Sequence, residues 1–313
     1  MISDFIWMDG EFVPYEKATI HFINPTLHYG PGVFEGIRCY STPHGPAVFR
    51  LREHLLRFID SIHILGVNKF PFTVDDLIKG VHETIKINKF DSCYIRPLMY
   101  LDGPLGLNMD KSRPRVMIAA WEWGPYLGEE AQKTGIHLMV ASFTRLHPNI
   151  SMTKAKITGN YVNSLMVKTL ALRSGYDEAV ILDPQGFVAE CTGENIFMVD
   201  KGILYTPPLS TVLEGITRDS IFVLAKDLGL EVVEKMITRD QLYIADEVFI
   251  SGTAAEIVGV RMIDFRQVGE GKVGPITSEL LRMYLDNVHG RGAHSAEWLD
   301  PVQSAIANRV IRN

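Results

Sequence analysis

Runs in which apolar and polar residues alternate dominate this chain, and stretches with a helical period are few. Near the N-terminus, FIWMDGEFVPY places two short apolar runs around Asp9-Gly10, the signature of a tight hairpin. Leu55, Phe58, Ile59, Ile62 and Leu65 then recur at helical spacing, and Gly66 stops the pattern. Two strands follow, YIRPLMYL (94–101) and RVMIAAWEW (115–123). The turn residues and charges of GPYLGEE (124–130) mark a linker.

The second half opens on another strand, IHLMVASF (136–143). A polar loop leads through KAKITGNY into a helix, with Val162, Leu165, Met166 and Leu170 as its expected buried face and Gly175 as its stop. Short strands come next: DEAVILD, FVAECTG, NIFMV and ILYTPP. The first pair is joined at Asp183-Pro184-Gln185-Gly186 and the last at Lys201-Gly202. A helix from about Thr217 and a strand EVFISG (247–252) complete the pattern. Short strands in close succession with a few helices predict an α+β fold rather than a doubly wound one.

With 313 residues, two domains are affordable. Apolar residues make up 46% and charged residues 22%, as in an ordinary globular protein, and no apolar run reaches membrane-spanning length. A net charge of −6 provides no basic field for nucleic acid or an anionic membrane, so an anionic ligand requires a local site. Cys39, Cys93 and Cys191 are odd in number and widely spaced, which suits a reducing compartment. The N-terminus lacks the basic start and apolar run of a secretory signal, so a cytosolic location is expected.

The glycines of HYGPGVFEG do not fit a dinucleotide fingerprint, because Pro31 interrupts them and no buried strand precedes them. Tight turns or close backbone approach explain them better. The ten histidines show no metal-ligand spacing, and neither a serine-hydrolase elbow nor a P-loop is present. In EGITRD (214–219), Gly215, Ile216 and Thr217 precede an amphipathic helix, so the segment reads either as a phosphate site or as a helix cap. The turn in SGTAAE (251–256) offers further N–H groups and a hydroxyl. VAECTGENIF holds Glu190 and Glu194 among apolar residues; each needs a proton or a cation, and a ring nitrogen or an arginine serves equally. Of Lys154 and Lys156, either is placed to be a nucleophile if its amine is desolvated, and spacing does not choose between them.

Taken in order, HYGPGVFEGIR, YIRP, AKITGNY, AECTGENIF, EGITRD and SGTAAE resemble the class IV aminotransferases, the pyridoxal-phosphate family of fold type IV. Within it the likeness is greatest to the branched-chain amino acid aminotransferases, and it covers nearly the whole chain. The resemblance implies a two-domain, D-amino acid aminotransferase-like fold. A small α/β domain would occupy 1–124 and a linker 125–134. A larger β-rich domain with flanking helices would take 135–313.

It further implies pyridoxal 5′-phosphate carried on Lys156, with Lys154 an ordinary neighbour. Tyr161 would meet the ring hydroxyl and Glu190 the pyridine nitrogen. Arg57, Ile216, Thr217 and Thr253 would hold the phosphate, with Gly193, Asn195 and Gly215 beside the cofactor. Phe34, Arg38, Tyr94, Arg96, Trp123 and Tyr126 would meet the substrate, and the Thr253-Ala254-Ala255 turn its α-carboxylate. The implied reaction is ping-pong transamination between branched-chain L-amino acids and 2-oxoglutarate, without a metal, in a homodimer or larger homo-oligomer. Ile157-Thr158-Gly159 and the loop 146–153 depart from the family pattern and bear on substrate range. Rivals of the same fold are D-amino acid or (R)-amine transaminases and aminodeoxychorismate lyases. A rival of another class is a non-catalytic binder of phosphate ligands.

Overall fold

A computed structural model describes residues 2–124 and 126–302; Pro125 of the expected linker and the end of the expected second domain, 303–313, lie outside the described residues. The chain forms two compact units. The first takes the chain up to Trp123, the short segment Ala155–Gly159 and the chain from Asn287 onward; the second takes Gly124–Lys154 and Asn160–Asp286. Among the described residues no helix is long and apolar enough to cross a membrane.

In the first unit β1 (Phe5–Met8) and β2 (Glu11–Pro14) form the expected hairpin. Asp9 at φ 49 and Gly10 at φ 97 supply the left-handed pair that such a turn needs. After α1 (Pro25–Tyr29) come β3 (Val33–Phe34), β4 (Ile37–Thr42) and β5 (Gly45–Phe49). The helices α2 (Leu51–Ile64) and α3 (Val74–Ile87) follow, then the long pair β6 (Cys93–Asp102) and β7 (Arg113–Trp121). The sheet order is a late strand Leu299–Pro301, then β5, β4, β6, β7, β1 and β2, with β3 against β6.

Side chains alternate across a strand, so each strand of this sheet offers one row to the helices and one to the other face. Val33, Ile37, Cys39, Ile95, Met99, Val116 and Ile118 pack with Leu55, Phe58 and Ile62 of α2 and Leu77, Val81 and Ile85 of α3. Each such large side chain, removed from water, contributes about 1.5–3 kcal/mol. The opposite row carries Phe34, Arg38, Tyr94, Arg96 and Trp121. Cross-strand pairing aligns Arg38 with Tyr94, Tyr94 with Trp121, and Phe34 with Leu98.

In the second unit β8 (Ile136–Thr144) follows α4 (Glu129–Thr134). The elements α5 (Tyr161–Arg173), β9 (Glu178–Leu182), β10 (Val188–Cys191), β11 (Asn195–Asp200) and β12 (Ile203–Thr206) come next. They are followed by α6 (Ile216–Asp227), β13 (Val232–Glu234), β14 (Glu247–Gly252), β15 (Glu256–Ile263) and β16 (Arg266–Gln267). The sheet runs β10, β9, β8, β15, β14, β11, β12, β13, with β16 on β15. It is mixed: β8 is parallel to both β9 and β15.

The expected buried face of α5 is corrected here. Val162, Leu165 and Met166 are exposed, and Ser164, Val167 and Ala171 are buried. Val167 and Ala171 meet Ala141, Ala179 and Ile181 of the sheet, so close approach of helix to strand selects the small side chains.

Candidate active site

The segment Ala155–Gly159 folds with the first unit rather than with its neighbours in sequence. Ala155 and Ile157 enter that unit's apolar core, so the intervening Lys156 is turned the other way. Its backbone is fixed on both sides: the Lys156 N–H donates to Ser61 Oγ at 3.0 Å, and its C=O accepts from the Phe34 N–H at 3.1 Å. Val33 and Ile157 form a bridge, and the Thr158 N–H donates to the Gly32 C=O at 2.9 Å. The approach is tight, since a Cβ on Gly32 would sit 3.0 Å from Thr158 Oγ1. The glycines of HYGPGVFEG therefore serve backbone packing, as the tight-turn reading expects.

Lys156 Nζ lies 5.1 Å from the Phe34 ring centroid, and the Arg96 guanidinium lies 4.7 Å from the same ring. Arg96 also stands 5.4 Å from the Tyr94 ring and 5.8 Å from that of Trp121, and it donates to Tyr94 Oη at 3.3 Å. Its Nε is buried without a partner among the described residues. Trp123 packs edge-on to Tyr94 at 4.8 Å, and its C=O accepts from Arg38 at 3.2 Å. A recess of about 380 Å³ beside Arg96 is walled by Ile6, Tyr15, Leu98, Met117 and Ala119.

Arg57, on α2, is anchored by Glu35 through Nε at 2.7 Å and Nη2 at 2.9 Å. His54 Nδ1 reaches the same carboxylate at 2.8 Å. Burial alone would raise the Glu35 carboxyl, but the Arg57 charge and the His54 hydrogen bond outweigh it and hold the group well below the usual carboxylate range. Burial lowers His54 despite its bond to Glu35, so the imidazole is neutral at neutral pH.

In the second unit Glu190, at the end of β10, is 7% exposed and meets Arg145 at 2.6 Å. Its other oxygen accepts from the Leu213 N–H at 3.2 Å, and the Leu213 C=O accepts from Asn195 at 3.1 Å. Glu190 and Asn195 thus pin the loop that enters α6. Gly215 is the N-cap of α6 and is required there, because a Cβ would overlap Asn195 Oδ1. The cap residue is thus a glycine with no side chain to offer, and Thr217 is not the cap. Its hydroxyl is buried, with the residue 1% exposed, and has no partner among the described residues. Ser251 Oγ is likewise buried and unpartnered among them.

A helix N-terminus whose cap residue is glycine, with the buried Thr217 hydroxyl unpartnered among the described residues in its first turn, fits a phosphate group. The chemistry of the donors therefore suits pyridoxal phosphate. The Thr253-Ala254-Ala255 turn joins β14 to β15, and the Ala254 C=O accepts from the N–H of the exposed Tyr126 at 3.4 Å. Gly252 approaches Gly193, whose C=O would be 3.2 Å from an added Cβ. Tyr161 opens α5 and is half-buried.

Glu194, the other carboxylate of that motif, is buried and accepts from the Gly193 N–H at 3.1 Å. Burial, with the nearby Glu178 charge, pushes its carboxyl up to about 8. Glu178 itself is held by Lys168 at 2.7 Å and by the Thr192 hydroxyl at 2.8 Å. Lys154 is engaged by Glu214 at 2.7 Å and by the Leu209 C=O. All three cysteines are free and buried, with burial raising the Cys191 thiol. Sequence reasoning left out Glu35, His54, Ser61 and Arg145. A signal for Glu35 was present, since it interrupts the apolar row Val33, Ile37, Cys39.

Over residues 32–263 the chain matches the family described as amino-transferase class IV. It is 47% identical over 294 residues to the branched-chain-amino-acid aminotransferase of Pseudomonas aeruginosa, covering 94% of this chain and 95% of that one. Against the Escherichia coli enzyme of the same name identity is 47% over 305 residues, 96% of this chain and 98% of that one. The crystal structure of the Escherichia coli enzyme superposes with a TM-score of 0.94 at 46% identity, covering 96% of this chain and all of that one. The enzyme from T.th., solved with pyridoxamine 5′-phosphate, gives 0.93 at 48% identity, covering 96% of this chain and 99% of that one.

Proposed function

This chain belongs to the class IV aminotransferases, and from that premise we propose that it transfers the amino group of leucine, isoleucine and valine to 2-oxoglutarate. The products are the branched 2-oxo acids and L-glutamate. The observation that carries this reading is the polar–aromatic row on one sheet face of the first unit, where Lys156 and Arg96 flank Phe34. Support for the cofactor comes from the relatives solved with pyridoxamine 5′-phosphate and with N-(5′-phosphopyridoxyl)-L-glutamate.

Pyridoxal 5′-phosphate, when bound, supplies an aldehyde for the amino group and a ring that accepts the charge left at Cα. Lys156 would carry it and, once released by the incoming amino acid, would move the proton between Cα and the cofactor's C4′ as general base and acid. Glu190, steadied by Arg145, would hold the pyridine N–H. Tyr161 would bond the ring hydroxyl. Arg57, Ile216, Thr217 and Thr253 would hold the phosphate, with Gly193, Asn195 and Gly215 letting the backbone come close. Arg96 would meet the distal carboxylate of glutamate, whereas the rings of Phe34, Tyr94, Trp123 and Tyr126 offer an apolar wall to leucine. Arg38 is steadied by Trp123, and the N–H groups of Ala254 and Ala255 would take the α-carboxylate.

A homodimer or larger homo-oligomer is part of the reading. Ile20, Phe22, Ile23, Leu27 and Tyr29 in the first unit are exposed, as are Val162, Leu165 and Met166 in the second, and they are the apolar side chains that such an assembly would cover. Steady-state assay of L-leucine against D-alanine with 2-oxoglutarate tests the function. Glutamate formed from L-leucine supports it; preference for D-alanine assigns the chain to the D-amino acid enzymes of the fold instead.

A further inference from the structure

Glu35 stands in a row of the first unit's sheet that faces the helices, between the fully buried Val33 and Ile37, and is itself 0% exposed. A carboxylate there is costly unless a cation compensates it. Arg57 does so bidentately, and His54 Nδ1 and the Gly36 N–H, at 2.8 and 3.2 Å, complete the coordination of Oε2. Well-packed apolar residues would often be as stable as such a pair. The pair therefore calls for a reason beyond stability, and the position of Arg57 supplies one.

His54, Arg57 and Ser61 recur at three- and four-residue spacing and so share a face of α2. Ser61 Oγ donates to the Arg57 C=O at 2.8 Å and accepts from the Lys156 N–H. One helical face thus fixes both the guanidinium and the backbone of the lysine.

We propose that Glu35 is a positioning residue for cofactor phosphate: it clamps two donors of the Arg57 guanidinium and so fixes the plane presented to the phosphate, with His54 Nδ1 holding the carboxylate at Oε2. This rests on the assignment of Arg57 to the phosphate. The planar fork makes the device effective, because holding one edge fixes the direction of every other N–H. The ionised Glu35 and neutral His54 agree with it, since the guanidinium then keeps its charge partner across the neutral pH range.

The test compares binding of pyridoxal 5′-phosphate and of pyridoxal, which lacks the phosphate, to the full-length apoprotein by quenching of tryptophan fluorescence. The readout is the ratio of the two dissociation constants. Glu35→Gln is expected to weaken binding of the phosphate form on the order of 10- to 100-fold and leave pyridoxal binding unchanged. Glu35→Asp keeps the charge but withdraws the carboxylate by one methylene; it should lower the ratio by a smaller factor and serves where the Gln variant does not fold. An unchanged ratio in either folded variant, or equal weakening of both ligands, overturns the proposal. Arg57→Gln separates the two layers of the argument. If Arg57→Gln keeps the wild-type ratio, the phosphate assignment itself fails and takes the proposal with it; if Arg57→Gln loses the ratio and Glu35→Gln keeps it, only the role of Glu35 is overturned.

Discussion

Lys154 and Lys156 differ in what surrounds them. The ammonium of Lys154 is tied to Glu214 and the Leu209 C=O in a partly exposed pair, and such pairs are worth about 0–1 kcal/mol. Lys156 is held by its backbone, with Ala155 and Ile157 buried on either side. Lys156→Ala is expected to abolish turnover and the yellow colour of the purified protein, and Lys154→Ala to keep both; a spectrum and a rate for each variant decide it. Arg145 is buried against Glu190, so Arg145→Met removes the cation that compensates a buried carboxylate. The expected loss is about 3–5 kcal/mol of stability, measured by denaturant unfolding.

Glu194 gives a stability signature with a definite sign. Its carboxyl holds a proton up to about pH 8 in the folded protein, but only to its ordinary 4.5 when unfolded. Between those values the folded state binds the extra proton, so stability falls as pH rises through that window and levels off above it. Glu194→Gln keeps the acceptor for the Gly193 N–H and should flatten this decline in melting temperature from about pH 5 to 8. An undiminished slope would place the titrating group elsewhere.

Among the elements, the close contact of Gly36, just before β4, with Tyr94 of β6 ties together two strands of the proposed substrate pocket. A Cβ on Gly36 would overlap Tyr94 Oη, so Gly36→Ala must displace that ring and with it the partner of Arg96. A KM for L-leucine raised about 10-fold or more is expected, since a loss of about 1.4 kcal/mol in pocket contacts gives that factor. The Asp9-Gly10 hairpin, β6 to β12 and β14 were legible because alternation is local, whereas β3 to β5, β13, β15 and β16 were not read from the sequence. The buried face of α5 was not, because that helix is apolar on several sides and only the distance to its sheet selects Val167 and Ala171 over Leu165 and Met166. Nor was the packing of Thr158 on Gly32, two residues 126 apart in sequence.

At the scale of the whole molecule, the family likeness runs nearly end to end, and the candidate residues fall into two groups that sequence order does not separate. Arg57 and Lys156 belong to the first unit although a long stretch of chain parts them, whereas Lys154 and Tyr161, on either side of Lys156, belong to the second. Motif order exposed most of these residues; Glu35 left a sequence signal as a charge in an apolar row, whereas the supports His54, Ser61 and Arg145 became visible only through their partners. Light scattering on the intact protein should give a mass at least twice the 35.2 kDa of one chain, and a monomer would contradict the proposed assembly.

The central claim is stoichiometric amino transfer from a branched-chain L-amino acid to a cofactor carried on Lys156. Its most direct test mixes the yellow protein with L-leucine and no 2-oxo acid acceptor, then counts the 2-oxo acid released. One equivalent per chain from L-leucine, none from D-alanine, and none with Lys156→Ala is the predicted result. Release from D-alanine in place of L-leucine, or from the Lys156→Ala variant, would contradict the account.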